Sequence, residues 1–140
     1  KRISRNVIYW EQQDIFNIDQ KQKFDGICMS YGLRNLDSVE KGIKKVFCLL
    51  KENGRVGFLD FNHPRRNSFP SIFQKIYLRL IVVPIAIYFN LGDEYKYIEN
   101  SINVFPEGKK LVSIAKQIGF KDVKYKTICA SQMGILILKK

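Results

Sequence analysis

At 140 residues with 46% hydrophobic content, the chain has enough apolar side chains for one core and too few residues for two, so a single domain spanning 1–140 is expected. A formal charge of +11 attracts polyanions, whether nucleic acid or an anionic membrane surface. The cations are spread from Lys44 and Lys45 through Arg65, Arg66, Lys75 and Arg79 to Lys121, Lys124 and Lys126, rather than forming one stripe with interleaved aromatics. A nucleic-acid partner is therefore not expected, and the charge reads either as a solvated Lys-rich surface or as a binding patch.

The chain opens at Lys1 with no initiator Met and no recognisable targeting segment, so the native N-terminus is expected upstream. Residues 7–10 and 24–29 are short apolar runs that read as buried strands. From Asp37 the period becomes helical, with Val39, Ile43, Val46, Phe47 and Leu50 on one face and Asp37 as the expected N-cap; Asn53-Gly54 is expected to end the helix. Residues 55–61 form a third apolar strand, closing on Asn62-His63-Pro64. Strand, helix and strand with short connections predict a βαβ unit and a parallel pair.

Residues 68–90 are the most apolar stretch, interrupted by Pro84 and carrying Lys75 and Arg79, which leaves too short a run to cross a membrane. A kinked amphipathic helix, or a pair of helices, is expected there. A short helix over 95–102 and a clear one over 107–118 follow, the latter opened by Pro106 and closed by Gly119. Residues 122–129 and 133–138 read as an antiparallel hairpin that ends an otherwise parallel sheet. Cys28, Cys48 and Cys129 each sit among apolar neighbours, far apart and without a nearby histidine; they are expected to be buried thiols in a reducing compartment, and no metal site is expected.

In an open α/β sheet, ligands bind beyond the carboxyl ends of the strands, which selects Asp14-Ile15, Ser30-Tyr31-Gly32 and Asn62-His63. A carboxylate at Asp14 can accept from an exocyclic amine, and a Ser-x-Gly turn lets backbone approach a ligand. His63, the single histidine, has an intrinsic pKa suited to a general base, but its place before Pro64 favours an ordinary turn residue. Asp60 carries the same two readings at a strand end.

In this order these segments carry a resemblance. Residues 24–35 are similar to the FDxIxxxxGLRN segment of the C-methyltransferases of ubiquinone and menaquinone synthesis. Residues 50–55, the Leu59-Asp60-Phe61 run, a YxYIxxSIxxFP pattern over 95–106 and Ile118-Gly119-Phe120 resemble later segments of the same family. Within it, residues 82–86, residues 132–136 and the turn after Asp60 look most like the cyanobacterial and plastid members acting on phytylated naphthoquinones. Glu52-Asn53-Gly54 departs from the Pro-Gly-Gly usual there.

The resemblance implies a class I, Rossmann-like methyltransferase sheet ending in an antiparallel hairpin, of which this chain is the C-terminal part, with the N-terminal strands and the Gly-rich loop upstream of Lys1. It implies S-adenosyl-L-methionine as cofactor, with Asp14 and Ile15 flanking the adenine and Ser30 near the methionine end. Arg34 and Asn35 would be the catalytic pair facing a prenylated quinol. A plastid or cyanobacterial setting, peripheral to the membrane, is implied too, with residues 69–89 serving either as core or as tail slot and membrane contact. Without the upstream loop, the chain is expected to bind the cofactor poorly, and residues 7–10 are expected to be displaced or poorly packed, because the strands between them and 24–29 are absent.

Overall fold

The computed structural model describes residues 8–21, 23–62, 76, 80, 84, 92–129 and 131–140. The helical period after Asp37 folds as helix α1, Val39–Leu49, and buries Ile43, Val46 and Leu49 almost completely. Removing three such side chains from water is worth roughly 5–9 kcal/mol before the entropy of ordering them is subtracted. Its N-cap is Ser38, one residue after the expected Asp37: Ser38 is extended (φ −144°, ψ 115°) and its hydroxyl accepts from the Lys41 N–H at 3.3 Å. Both residue types cap well, and burial of the apolar face fixes which of them lies at the boundary.

Asn53-Gly54 does not end α1. The helix passes directly into strand β2, Leu50–Phe61, whose register against β1, Phe24–Ser30, slips between Leu50 and Arg55, with Asn53 at φ 62° inside the irregularity. The C-terminal carbonyls of α1 are satisfied from far away in sequence. Lys140 Nζ donates to Phe47 O at 3.1 Å and Leu50 O at 3.0 Å, while lying over the Phe47 ring.

Strand β1 pairs parallel with β2, as expected for a βαβ unit, and β2 pairs antiparallel with β4, Met133–Lys139, which pairs antiparallel with β3, Asp122–Ile128. The sheet order is β1-β2-β4-β3. Helix α2, Gly92–Val104, precedes α3, Gly108–Ile118. The end of α3 is fixed by Gly119 at φ 113°, with Gly119 N–H to Lys116 O and Phe120 N–H to Ala115 O, the paired bonds of a Schellman cap. Phe120 then stacks edge-on against Phe47 at 4.9 Å, tying α3 to α1.

One face of the sheet makes the core. Val56, Phe58, Leu136 and Leu138 are buried there against Ile43, Val46, Leu111 and Ala115 of α1 and α3. The opposite face is bare among the described residues: Cys28, Arg55, Lys124, Lys126 and Ile137 are exposed, and a methyl group added at Gly57 would meet nothing within 4 Å. Parallel strands are usually covered on both faces. This arrangement corrects two expectations: β1 is an edge strand with a mostly exposed surface rather than a buried one, and Cys28 and Cys129 are exposed thiols, with Cys48 half-buried.

The predicted strand at 7–10 is not formed over its described part. Ile8, Tyr9 and Trp10 have no regular structure and are 69%, 83% and 90% exposed, as the displaced alternative requires. The kinked helix expected over 68–90 and His63 lie outside the described residues, and among the described residues no helix is long and apolar enough to cross a membrane.

Candidate functional site

The carboxyl ends of β1 and β2 meet at a tight polar cluster built on Asp60. This residue is the last core-facing position of β2 and is 3% exposed, in a setting where a lone carboxylate would be very costly. Its oxygens accept from three donors. Arg34 N–H reaches Oδ2 at 3.0 Å, Arg34 Nε reaches Oδ1 at 3.2 Å, and Phe61 N–H reaches Oδ1 at 2.9 Å. Both side chains of the Arg34–Asp60 pair are only 5% exposed. The guanidinium also lies over the Phe61 ring, 5.4 Å from its centroid, and donates through a terminal nitrogen to Ser101 Oγ on α2.

Arg34 is delivered there by the Leu33–Asn35 3-10 turn that follows β1, anchored by Leu33 at 2% exposure. Immediately upstream, Tyr31 holds a left-handed backbone conformation at φ 54°, which costs a non-glycine residue of order 1 kcal/mol. It is kept by contacts on every side: its N–H donates to Leu59 O at 2.8 Å, its carbonyl accepts from Asn35 Nδ2 at 3.1 Å, and its ring lies 5.4 Å from Phe61. Asn35 is exposed and accepts from the Tyr97 hydroxyl of α2 at 3.2 Å.

A second cluster stands behind the first. Tyr125 of β3 donates to Asn62 Oδ1 at 2.7 Å, and Asn62 Nδ2 donates to Ser131 O at 2.9 Å. Tyr125 is wedged between Gly108 and Gly134, where an added Cβ at either position would fall inside the space of its ring. Burial, and secondarily the Asp60 carboxylate, raise its phenol above the ordinary 10. Asp60 and Tyr125 line a small cavity with Leu33, Phe105, Leu111 and Leu136.

Asp14 and Ile15 sit elsewhere, on the Ile15–Asn17 3-10 turn. Asp14 Oδ1 accepts from Phe16 N–H at 2.8 Å, and Lys45 of α1 holds the turn by donating to Phe16 O at 3.0 Å and Ile18 O at 2.7 Å. Ser30 is exposed at the end of β1. The structure thus joins Arg34 and Asn35 to Asp60, Tyr97 and Ser101, and among the described residues no hydrogen bond links Asp14 or Ile15 to Ser30. Tyr97 and Ser101 stood in the 95–106 pattern and Asn62 at a strand end, but nothing in the sequence pointed to Tyr125 or to the bonds these residues make. The signal that could have found the pair is a carboxylate closing an apolar strand, which needs a cation once buried, and Arg34 is the one that meets it.

With this geometry in view, comparisons with known proteins are specific. The 2-phytyl-1,4-naphthoquinone methyltransferase of Nostoc punctiforme is 33% identical over 141 residues, covering 100% of this chain and 61% of that protein. Its counterpart in Trichormus variabilis is 36% identical over 134 residues, covering 95% and 58%, and the chloroplastic 2-phytyl-1,4-beta-naphthoquinone methyltransferase of Arabidopsis thaliana is 32% identical, covering 93% and 50%. The chain therefore spans between half and about three-fifths of the length of these curated relatives. An O-methyltransferase family protein of Burkholderia thailandensis shares the fold, with a TM-score of 0.58 at 12% identity over 93% of this chain and 35% of that one. The segments that build the cluster, from the turn after β1 to the hairpin of β3 and β4, all fall inside a match to the ubiE/COQ5 methyltransferase family that runs over residues 5–139, and the chain belongs to that family.

Proposed function

We propose that the chain is part of an S-adenosylmethionine-dependent enzyme that C-methylates a prenylated naphthoquinol, of the phylloquinone or menaquinone type. One observation carries this reading: relatives at 32–36% identity that cover nearly the whole chain are named 2-phytyl-1,4-naphthoquinone methyltransferases. Their cyanobacterial and chloroplastic origin supports the same setting here. Contact with a membrane surface is a further part of the proposal, resting on the apolar and basic sequence of 65–89.

The described residues suit the cofactor. Asp14 spends Oδ1 on Phe16 N–H and leaves an exposed carboxylate oxygen for an exocyclic amine, Ile15 offers a half-buried apolar wall, and Ser30 presents a hydroxyl at the end of β1. When bound, the cofactor supplies an electrophilic methyl group to an electron-rich ring carbon. The chain must align that ring and favour the ionised quinol oxygen. Tyr31, 37% exposed and paired with Phe61, provides an aromatic surface against which a flat bicyclic ring can pack. A guanidinium is no base; the charge of Arg34, held in place by Asp60, favours a nearby phenolate, and exposed Asn35, held between Tyr31 O and the Tyr97 hydroxyl, stands beside it.

The test is transfer of labelled methyl from S-adenosylmethionine to 2-phytyl-1,4-naphthoquinol, by the chain alone and joined to the amino-terminal portion of the Nostoc punctiforme relative. The joined protein is expected to methylate a ring carbon and the chain alone to do little. Absence of transfer from the joined protein, or preference for a benzoquinol, overturns the proposal.

A further inference from the structure

Helix α2 is held in two different ways along its length. Its C-terminal end is anchored by apolar burial, with Ile102 and the following Phe105 each 6% exposed and Phe105 in the core cluster. Upstream of Ser101 two of the described side chains are wetter, Tyr97 at 55% exposure and exposed Asn100, while Ile98 is half-buried. Among the described side chains, the hydrogen bonds that tie this part to the sheet come from two residues. Tyr97 and Ser101, four residues apart and so on one face of the helix, reach the same two adjacent residues of the turn after β1. Tyr97 donates to Asn35 Oδ1 at 3.2 Å, and Arg34 donates to Ser101 Oγ.

The turn that receives these bonds is itself immobilised. Leu33 is buried, Arg34 is bound to Asp60 through backbone and side chain, and Asn35 is fixed by its amide on Tyr31 O. Ser101 is oriented as well, because its hydroxyl donates to Ile98 O at 2.9 Å, which leaves its lone pairs for Arg34. A rigid pair of side chains on the sheet therefore meets an oriented pair on the helix.

We infer that Arg34 and Asn35, besides the roles proposed above, form a latch on α2, and that its release lets the N-terminal part of α2 swing away from the carboxyl ends of β1 and β2. Among the described residues, two hydrogen bonds and half-buried Ile98 are a weak hold compared with the core burial on α1 and α3, so α2 opens locally while the sheet stays closed. Ligands of open α/β sheets bind at those carboxyl ends. The latch then controls entry to the site assigned above; that functional consequence rests on the proposed function, whereas the latch itself does not.

Hydrogen exchange on the full chain, read by mass spectrometry over peptides covering 92–104, tests it without any need for methyl transfer. Tyr97→Phe and Ser101→Ala are each expected to speed exchange in those peptides about two- to tenfold, the loss of one hydrogen bond, while peptides from β2, β4 and α3 keep their rates. Ser101→Thr, which retains the hydroxyl, keeps the slow rate, whereas Asn35→Leu, which removes the acceptor for Tyr97, does not. Tyr97→Phe combined with Asn35→Leu should be no faster than Asn35→Leu alone, because the Tyr97–Asn35 bond is already lost in the single variant. Unchanged rates in both single variants, acceleration spread equally through the sheet, failure of Ser101→Thr to rescue, or an α2 already exchanging at the unfolded rate in the parent chain would each overturn the inference.

Discussion

Replacing Arg34 by Met keeps the length of the side chain and removes its charge, and it isolates what the buried pair does for the fold. In the parent, Arg34 and Asp60 are both 5% exposed and 3.2 Å apart, so solvent screens them little. Breaking such a pair from one side leaves an uncompensated buried charge, a loss of about 3–5 kcal/mol. Here the low end applies, because Asp60 keeps the backbone N–H donors of Arg34 and Phe61 after the substitution. A loss of about 3 kcal/mol is a large part of the roughly 5–15 kcal/mol that stabilises a domain.

With a urea slope of about 1–3 kcal/mol per molar, the unfolding midpoint should fall by about 1–3 M. Asp60→Asn added to Arg34→Met should recover a substantial part of that loss, since the amide oxygen still accepts a backbone N–H and no charge remains buried. The exposed Lys51–Asp25 pair, at 49% and 87% exposure, is the internal control: its removal should change stability by at most about 1 kcal/mol, and less in salt. A midpoint shift below about 0.5 M for Arg34→Met, or one that disappears in high salt, would show that the pair is solvated and refute the reasoning.

Three further outcomes are expected. Gly134→Ala, whose new methyl would fall within the Tyr125 ring, should cost about 1–3 kcal/mol in thermal or urea unfolding, whereas Gly57→Ala, facing open space, should be neutral or slightly stabilising; equal effects would show that the ring moves aside freely. Cys28 and Cys129 should react with a thiol reagent well before Cys48, and equal rates at all three would contradict the bare face over β1. The Tyr125 phenol should ionise above the ordinary tyrosine range in an alkaline absorbance titration, and that late component should vanish in Tyr125→Phe. Below about pH 10 the phenol is neutral in both states and its contribution to stability is complete; above that the unfolded chain ionises first, so stability falls until the folded phenol ionises too. Burial is the larger cause, so Asp60→Asn should bring the phenol only part of the way back, and full return would reverse that order.

Periodicity made the order of elements readable, because each depends on side chains close in sequence. The βαβ unit, α3 with its Gly119 cap and the closing hairpin all follow from spacing that a helix or strand imposes on its own residues. The errors share a different origin. Ile27-Cys28-Met29 reads as a buried run, yet alternation sends Ile27 and Met29 to the core and Cys28 to the other side. Whether that other side is covered depends on elements remote in sequence. The cluster was half legible for the same reason: Arg34 and Asp60 each stood out, but their 26-residue separation hides the bond between them, and Tyr97 and Ser101 belong to a recognisable pattern whose partners stay hidden until the turn after β1 is set against the helix.

The bare face also gives the high charge a physical role that composition alone left open. A sheet surface left bare among the described residues, carrying half-buried Leu59 and Ile135 and exposed Ile137 next to the edge strand β1, is the kind of template on which chains pair and aggregate. On this face Arg55 and Lys139 stand opposite each other, and Lys124 and Lys126 lie across from Ile137 and Ile135. Two chains meeting face to face would bring these cations together and strip their water, a cost the apolar residues between them must overcome. The pairing of Lys124 with Asp122 at 3.2 Å, both largely exposed, offsets little of that repulsion. Cations interleaved with aliphatics thus oppose pairing with a second copy of the same chain. Salt, by screening the repulsion over a Debye length of about 10 Å at 0.1 M, should therefore promote self-association of the chain rather than suppress it.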